Sequence, residues 1–210
     1  GSPGNAANIL RQSASVLVLG LAMTLVVLVG GIDLSVGSVV LASSTFSGIA
    51  LTLGWPPAIA VLCGILVGAA VGLVNAILVE ALRISPVIVT LGTMIAVRGL
   101  ALIALGAFNS WVEIKGPIFS DLARRTVFGI PLDALVAILA AIVIGFVLKR
   151  TVLGRAWHAI GDAPVASRIA GLPVRRLRGL AYVGCGALSG LAGVLVAART
   201  GLISPSIGQG

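Results

Sequence analysis

The chain has 210 residues, 59% of them hydrophobic and 10% charged, with a mean hydropathy of +1.19. A water-soluble domain carries about 25% charged residues, so this composition excludes a soluble globular fold and requires an integral membrane protein. The net charge of +8 is concentrated in loops between apolar runs, the pattern of the positive-inside rule, and argues against nucleic acid as a partner.

Residues 5–13 form a polar, amphipathic lead-in to an apolar run at 14–29. A second apolar run covers 39–53, and GGIDLSVGS at 30–38 separates the two. A bilayer core needs about 20 helical residues. Neither run clearly supplies them alone, so the glycine-rich stretch reads as a break between two shorter helices. Asp33 lies in that break. The favoured expectation is a tight turn at the cytoplasmic membrane face with Asp33 solvated; the alternative is a buried, functional carboxylate. Ser35 or Ser38 stands where it can cap the second helix.

Trp55, in the turn at 54–57, suits a membrane–water interface. A third helix is expected at 58–79. Its Gly64, Gly68 and Gly72, spaced by four, form a smooth stripe for another helix to approach. Asn75 near its end suits an interhelical hydrogen bond better than a solute contact. After a connector at 80–86, Pro86 opens a fourth helix at 87–105, which holds Thr90, Thr93 and Arg98. Arginine is costly in lipid, so Arg98 faces protein or water, or snorkels to the headgroups; Asp33 is a candidate partner. Cys63 and Cys185 lie in apolar runs without metal-ligand spacing and read as core thiols.

A mixed loop follows at 106–131, where Trp111, Glu113, Lys115, Asp121, Arg124 and Arg125 nearly balance in charge. A fifth helix is expected at 132–148. The stretch 149–178 is different: Lys149, Arg150, Arg155, Arg168, Arg175, Arg176 and Arg178 face a single acid, Asp162. Such a loop stays cytoplasmic, and it orients everything else. The last helix, at 179–198, carries Gly186, Gly190 and Gly193 for packing. Counting back through alternating crossings puts the N-terminus outside, so an earlier span is expected. Gly-Ser at the start reads as a cloning scar, no signal peptide is visible, and both ends read as cut. The fold expected is all-α, a polytopic transmembrane bundle of about six apolar helical segments with a glycine-rich break near 30–38.

GGIDLSVGS at 30–38 resembles the signature of bacterial sugar ABC-transporter permeases of the ribose/xylose/galactose type. GLAMTLV at 20–26 is similar to that family's GMTLV run. VTLGTM at 89–94 with Arg98-Gly99 resembles its second signature. TVLGR at 151–155, the segment 159–161 and ASRIAG at 166–171 resemble its third. Tyr182 with the glycines 186–193 fits the following helix, and SIGQG at 206–210 resembles the start of the next conserved segment. Ala163 departs from the family's AxGxN pattern. Family members are longer, with about one helix before residue 1 and several after residue 210.

The resemblance implies that 1–210 is one transmembrane permease domain and that 150–178 is a cytoplasmic coupling loop. It implies a dimer with a second permease subunit, driven by ABC ATPase subunits and fed by a periplasmic sugar-binding protein, in the inner membrane among its lipids. The coupling residues implied are Gly154, Arg155, Gly161, Ala166, Arg168, Ala170 and Gly171. A short helix from Pro164 to Ala170 fits that role, with proline at its first turn and Gly171 past its end. Small Ala166 and Ala170 permit close docking, and Arg155 and Arg168 can meet acidic groups. Substituting Gly171 or Arg155 is expected to abolish uptake while sparing insertion. Asp33, Ser35, Asn75, Thr90, Thr93 and Arg98 are the candidates for the translocation path or the helix break.

No catalytic or metal site is expected. Neither lysine follows a glycine in a G-x-x-x-x-G-K-[ST] motif, so this chain binds no cofactor and ATP with Mg belongs to the partner ATPase. His158 is the only histidine and reads as a loop residue. Rival readings are a related permease for another small polar solute, such as a nucleoside or a furanone signal, and an ATP-independent channel or scaffold. A branched-chain amino acid solute fits less well, because the stretch at 30–38 looks like the sugar branch.

Overall fold

Each apolar run becomes a helix, and most reach further than hydropathy alone suggests. The computed structural model describes residues 3–108, 111–114 and 116–207, so Lys115 of the mixed loop and 208–210 of the terminal motif lie outside the described residues. Helix α1 spans Pro3–Leu28, α2 Val36–Thr52 and α3 Pro57–Ala76, which runs on into a π-helical turn, Ile77–Ala81. Then come α4 (Pro86–Gly106), α5 (Pro117–Arg124), α6 (Leu132–Arg150), α7 (Val152–Asp162), α8 (Pro164–Ile169) and α9 (Val174–Thr200). Among the described residues five helices are long and apolar enough to cross a membrane, and α2 is a shorter apolar one.

Contacts at the two ends of the bundle agree with alternating crossings. At one end, the Arg178 side chain donates to the carbonyl of Val29 and pairs with Glu80, and α7 lies on the last turn of α1. These groups belong with the basic stretch, so this is the basic end of the bundle. At the other end, Arg11 donates to the carbonyl of Ala123. There also strand β1 (Val112–Glu113) pairs antiparallel with β4 (Leu202–Ile203), and a small hairpin joins β2 (Thr126–Val127) to β3 (Ile130–Pro131).

Helices α2 and α9 form the centre, with α3 and α4 against α2, and α1 between α9 and α6. The tightest seam joins α3 to α9. A methyl group on Gly68 would run into the carbonyl of Gly186 and lie 2.9 Å from Gly190 Cα; one on Gly190 would lie 2.7 Å from the carbonyl of Gly64. Two glycine stripes therefore interlock backbone to backbone, the small-residue packing that holds helices together in lipid, where apolar burial supplies no driving force. On α2, Ser44 donates to the carbonyl of Gly193 at 2.7 Å, and Ser47 to that of Ala60 at 2.9 Å. Short hydroxyl side chains thus fill the narrow central space and bond across it.

Several sequence expectations need correction. The polar lead-in is helical and continuous with α1. Arg175, Arg176 and Arg178 lie on the first turns of α9, because a helix continues past its apolar part when its donors and acceptors still pair. Most of 149–178 is helix rather than loop. Cys63 is half-exposed on the outer side of α3; only Cys185 is buried.

Candidate functional site

The break between α1 and α2 is a built joint. Gly30 takes a left-handed backbone (φ +75°), which glycine adopts without a Cβ penalty, and the chain then runs extended to Ser35. Asp33 is 4% exposed, so the expectation of a solvated turn is wrong. Its Oδ1 accepts from the Ser35 amide at 2.8 Å and from Ser35 Oγ at 2.6 Å; its Oδ2 accepts from Asn75 Nδ2 at 3.3 Å. Asn75 Nδ2 also donates to Ser35 Oγ at 3.0 Å, so Asn75 does make an interhelical hydrogen bond. Ser35 stands at the N-cap of α2, but its hydroxyl serves Asp33 and makes no cap bond. Ser38 does not cap either and donates back to the carbonyl of Ser35.

The joint is recessed. Asn75 lies more than one helical turn before Glu80 on the same continuous helix, away from the basic end. Tyr182 Oη donates to the carbonyl of Ile32 at 3.4 Å and closes the joint from the α9 side. Asp33 has no ion pair among the described residues; its carboxyl group is held by hydrogen bonds alone, and Asn75 Oδ1 is buried without a partner. Removing the carboxylate orphans the Ser35 amide and hydroxyl and takes one of two acceptors from Asn75 Nδ2, at about 1–3 kcal/mol per unmet buried group. Asp33→Ala is therefore expected to lower the thermal midpoint of the purified protein sharply. Asp33→Asn, which keeps an acceptor for Ser35, is expected to lower it less. Equal midpoints for the two variants would contradict this account of the joint.

Beside the joint, α1, α2 and α4 enclose a cavity of about 600 Å³ lined by Leu34, Gly37, Ser38, Met94, Arg98 and Gly99, among others. Arg98 does not reach Asp33; its guanidinium donates to the carbonyl of Pro205 at 3.1 Å. Thr90 and Thr93 are buried, and both hydroxyls donate to carbonyls of their own helix, Pro86 for Thr90 and Val89 for Thr93. Of the six candidates for the path or break, the structure joins Asp33, Ser35 and Asn75 in one sealed cluster and puts Arg98 alone on the cavity wall. Gly37 and Leu34 also line the cavity; sequence reasoning missed them, since nothing in their residue type marks them.

The basic end of the bundle divides the seven coupling candidates into two kinds. A methyl group on Gly154 would strike the carbonyls of Leu148 and Val147, and one on Gly161 would strike that of Leu28. These two glycines let α7 fold tightly against the ends of α6 and α1. Trp157 Nε1 ties α7 to α9 through the carbonyl of Leu177 at 2.8 Å, and Ser167 Oγ ties α8 to α7 through that of Ala159 at 2.8 Å. Gly171 (φ +84°) makes the turn out of α8. Arg155, Ala166, Arg168 and Ala170 are exposed. So are Val165 and Ile169, at 70% and 83%. The helix tip thus offers two β-branched aliphatics among small and basic residues. His158 Nδ1 lies 2.8 Å from the carbonyl of Gly154, a bond within its own helix.

The chain is 36% identical over 211 residues to the fructose import permease protein FrcC of Rhizobium meliloti, covering 96% of this chain and 58% of that protein. It is 34% identical over 209 residues to the L-arabinose ABC transporter permease protein AraH of Azospirillum brasilense, covering 100% and 61%. It is 35% identical over 204 residues to the autoinducer 2 import system permease protein LsrC of Enterobacter sp. (strain 638), covering 96% and 58%. The chain therefore spans roughly three-fifths of the length of these relatives. No solved structure matches it. Residues 5–210 match the model of one family throughout, and the chain belongs to that family, the permease component of the branched-chain amino acid transport system.

Proposed function

We propose that this chain is the membrane part of a permease subunit in an ATP-driven importer of simple sugars. Two permease subunits form the translocation path. ABC ATPase subunits hold ATP and Mg and dock on α8, and a periplasmic sugar-binding protein delivers the solute from the other side. One observation carries the coupling: an apolar helix tip, Val165 and Ile169, is held out at the basic end of a protein of this family. An isolated solvated loop has no use for two exposed β-branched side chains, whereas a helix entering a groove does.

The contacts supply a route for the stroke. Movement of α8 passes to α7, and α7 bears on the last turn of α1 through Gly161. That turn leads directly into the joint, whose far end begins α2 and the cavity wall. Rocking α7 shifts the joint as a unit, because Asp33, Ser35 and Asn75 lock it. The cavity then opens to one side or the other. Its lining of small and apolar groups with one arginine makes few strong contacts, so solute selection rests mainly on the binding protein.

The relatives' names support sugars as the solute class, and the autoinducer 2 permease supports a second reading, a small polar signal molecule. Uptake of labelled fructose, L-arabinose, ribose and autoinducer 2 by cells carrying or lacking the full-length gene separates them. ATP-dependent accumulation of a sugar is expected. Accumulation of autoinducer 2 alone selects the second reading, and uptake that persists without ATP overturns both.

A further inference from the structure

A second cavity, of about 450 Å³, opens at the basic end between the π-helical turn, the start of α4, α8 and the start of α9. Four arginines line it: Arg83, Arg168, Arg175 and Arg178. Glu80 is the only carboxylate among its lining residues, and it pairs with Arg178 at 3.8 Å. Arg178 also donates to the carbonyl of Val29 at 3.0 Å, so it is held on two sides. The other three guanidiniums have no acidic partner within salt-bridge reach among the described residues. Four positive charges thus converge on one concavity around a single carboxylate, which leaves it a net excess of positive charge.

Arg83 takes the left-handed turn that ends the π-helix (φ 59°), closed by the Ile84 amide on the carbonyl of Leu78, and the turn sets it on the cavity wall. The residues beside it are apolar and exposed: Leu82 at 61%, and Ile88 at 66% on the first turn of α4. The cavity therefore lies at the ends of long apolar helices, with a charged lining and exposed apolar residues beside it.

We propose that this cavity binds the phosphate headgroup of an anionic phospholipid of the cytoplasmic leaflet. The arginines take the phosphate oxygens by charge-assisted hydrogen bonds, and the acyl chains lie along Leu82 and Ile88. Basic pockets between transmembrane helices on the cytoplasmic side suit such headgroups, and guanidinium forks match phosphate geometry. A protruding protein partner meets α8; a lipid suits this recess, because exposed apolar Leu82 and Ile88 stand beside it at the ends of long apolar helices. The bound lipid bridges the α3–α4 turn, α8 and α9, and braces the cytoplasmic face against the bilayer. The site does not depend on which solute the protein carries.

The test is native mass spectrometry of the full-length protein, delipidated and then titrated with phosphatidylglycerol or phosphatidylethanolamine. Phosphatidylglycerol is expected to be retained about tenfold more strongly than phosphatidylethanolamine. Arg83→Gln with Arg175→Gln is expected to remove that preference. Glu80→Gln, which deletes the competing acid, is expected to strengthen it, a gain that misfolding cannot produce. Equal retention of the two lipids, or a preference unchanged in the double variant, overturns the proposal. Displacement of phosphatidylglycerol by inorganic phosphate at equal concentration marks a small-anion site and overturns it too. Loss of the lipid whenever a cytoplasmic subunit co-purifies assigns the arginines to a protein interface, with the same consequence.

Discussion

Gly68→Leu is expected to abolish the folded protein. A leucine there drives its Cβ into the carbonyl of Gly186 and against the backbone of Gly190, and no side-chain rotation relieves a clash between Cβ and backbone. Overpacking a tight core costs about 1–3 kcal/mol and at times more. Here it also pries apart two helices that interlock at Gly64, Gly68 and Gly72, so the expected loss is about 3 kcal/mol or more. Fluorescence-detected size-exclusion chromatography of detergent extracts reads the result as disappearance of the monodisperse peak. Gly145→Leu on α6, where nothing lies within 4 Å of the added Cβ, is the control and leaves the peak intact. A wild-type profile for the Gly68 variant would show that the α3–α9 seam does not hold the bundle together.

Val165→Asp combined with Ile169→Asp is expected to uncouple the protein without unfolding it. Both side chains are exposed, so their loss costs the isolated permease little. In the proposed complex each enters a groove, and burial of an aliphatic side chain is worth about 1.5–3 kcal/mol. Losing two such anchors weakens ATPase binding by about a hundredfold or more. ATP-dependent uptake is expected to fall to background while the amount of protein in the membrane stays at the wild-type level. Gly171→Val acts on the same helix by straining its exit turn (φ +84°) and is expected to reduce uptake in the same direction. Full uptake by the double aspartate variant would remove α8 from the coupling route.

Much of this architecture is legible in the sequence, for reasons specific to membranes. Lipid enforces long apolar helices, so runs such as 87–105 and 132–148 mark α4 and α6 closely. Glycines spaced by four on α3 announce the seam with α9, because only close backbone approach explains such a stripe. The ends of helices are harder. Hydropathy stops at a charge, but the backbone does not, and Arg175, Arg176 and Arg178 therefore hid the first turns of α9. The joint was harder still. Residues 30–38 advertise a break, yet the burial of Asp33 depends on Asn75, 42 residues away, and no local pattern carries that pairing. The same holds for Gly154 and Gly161. Motif resemblance placed them on the cytoplasmic face, and only the fold shows that they pack α7 against α6 and α1, inside the face that the arginines and Ile169 present.

The most direct test of the account is photo-crosslinking in the assembled, full-length transporter, with a benzoyl-phenylalanine introduced separately at Val165, at Ile169 and at Leu139. The first two lie on the exposed tip of α8, and Leu139 is an exposed apolar residue on α6. The account predicts adducts with an ATPase subunit from Val165 and Ile169, changing in yield when ATP is added, and none from Leu139. No adduct from α8, or equal adducts from all three positions, would contradict the claim that this helix is where the chain is driven.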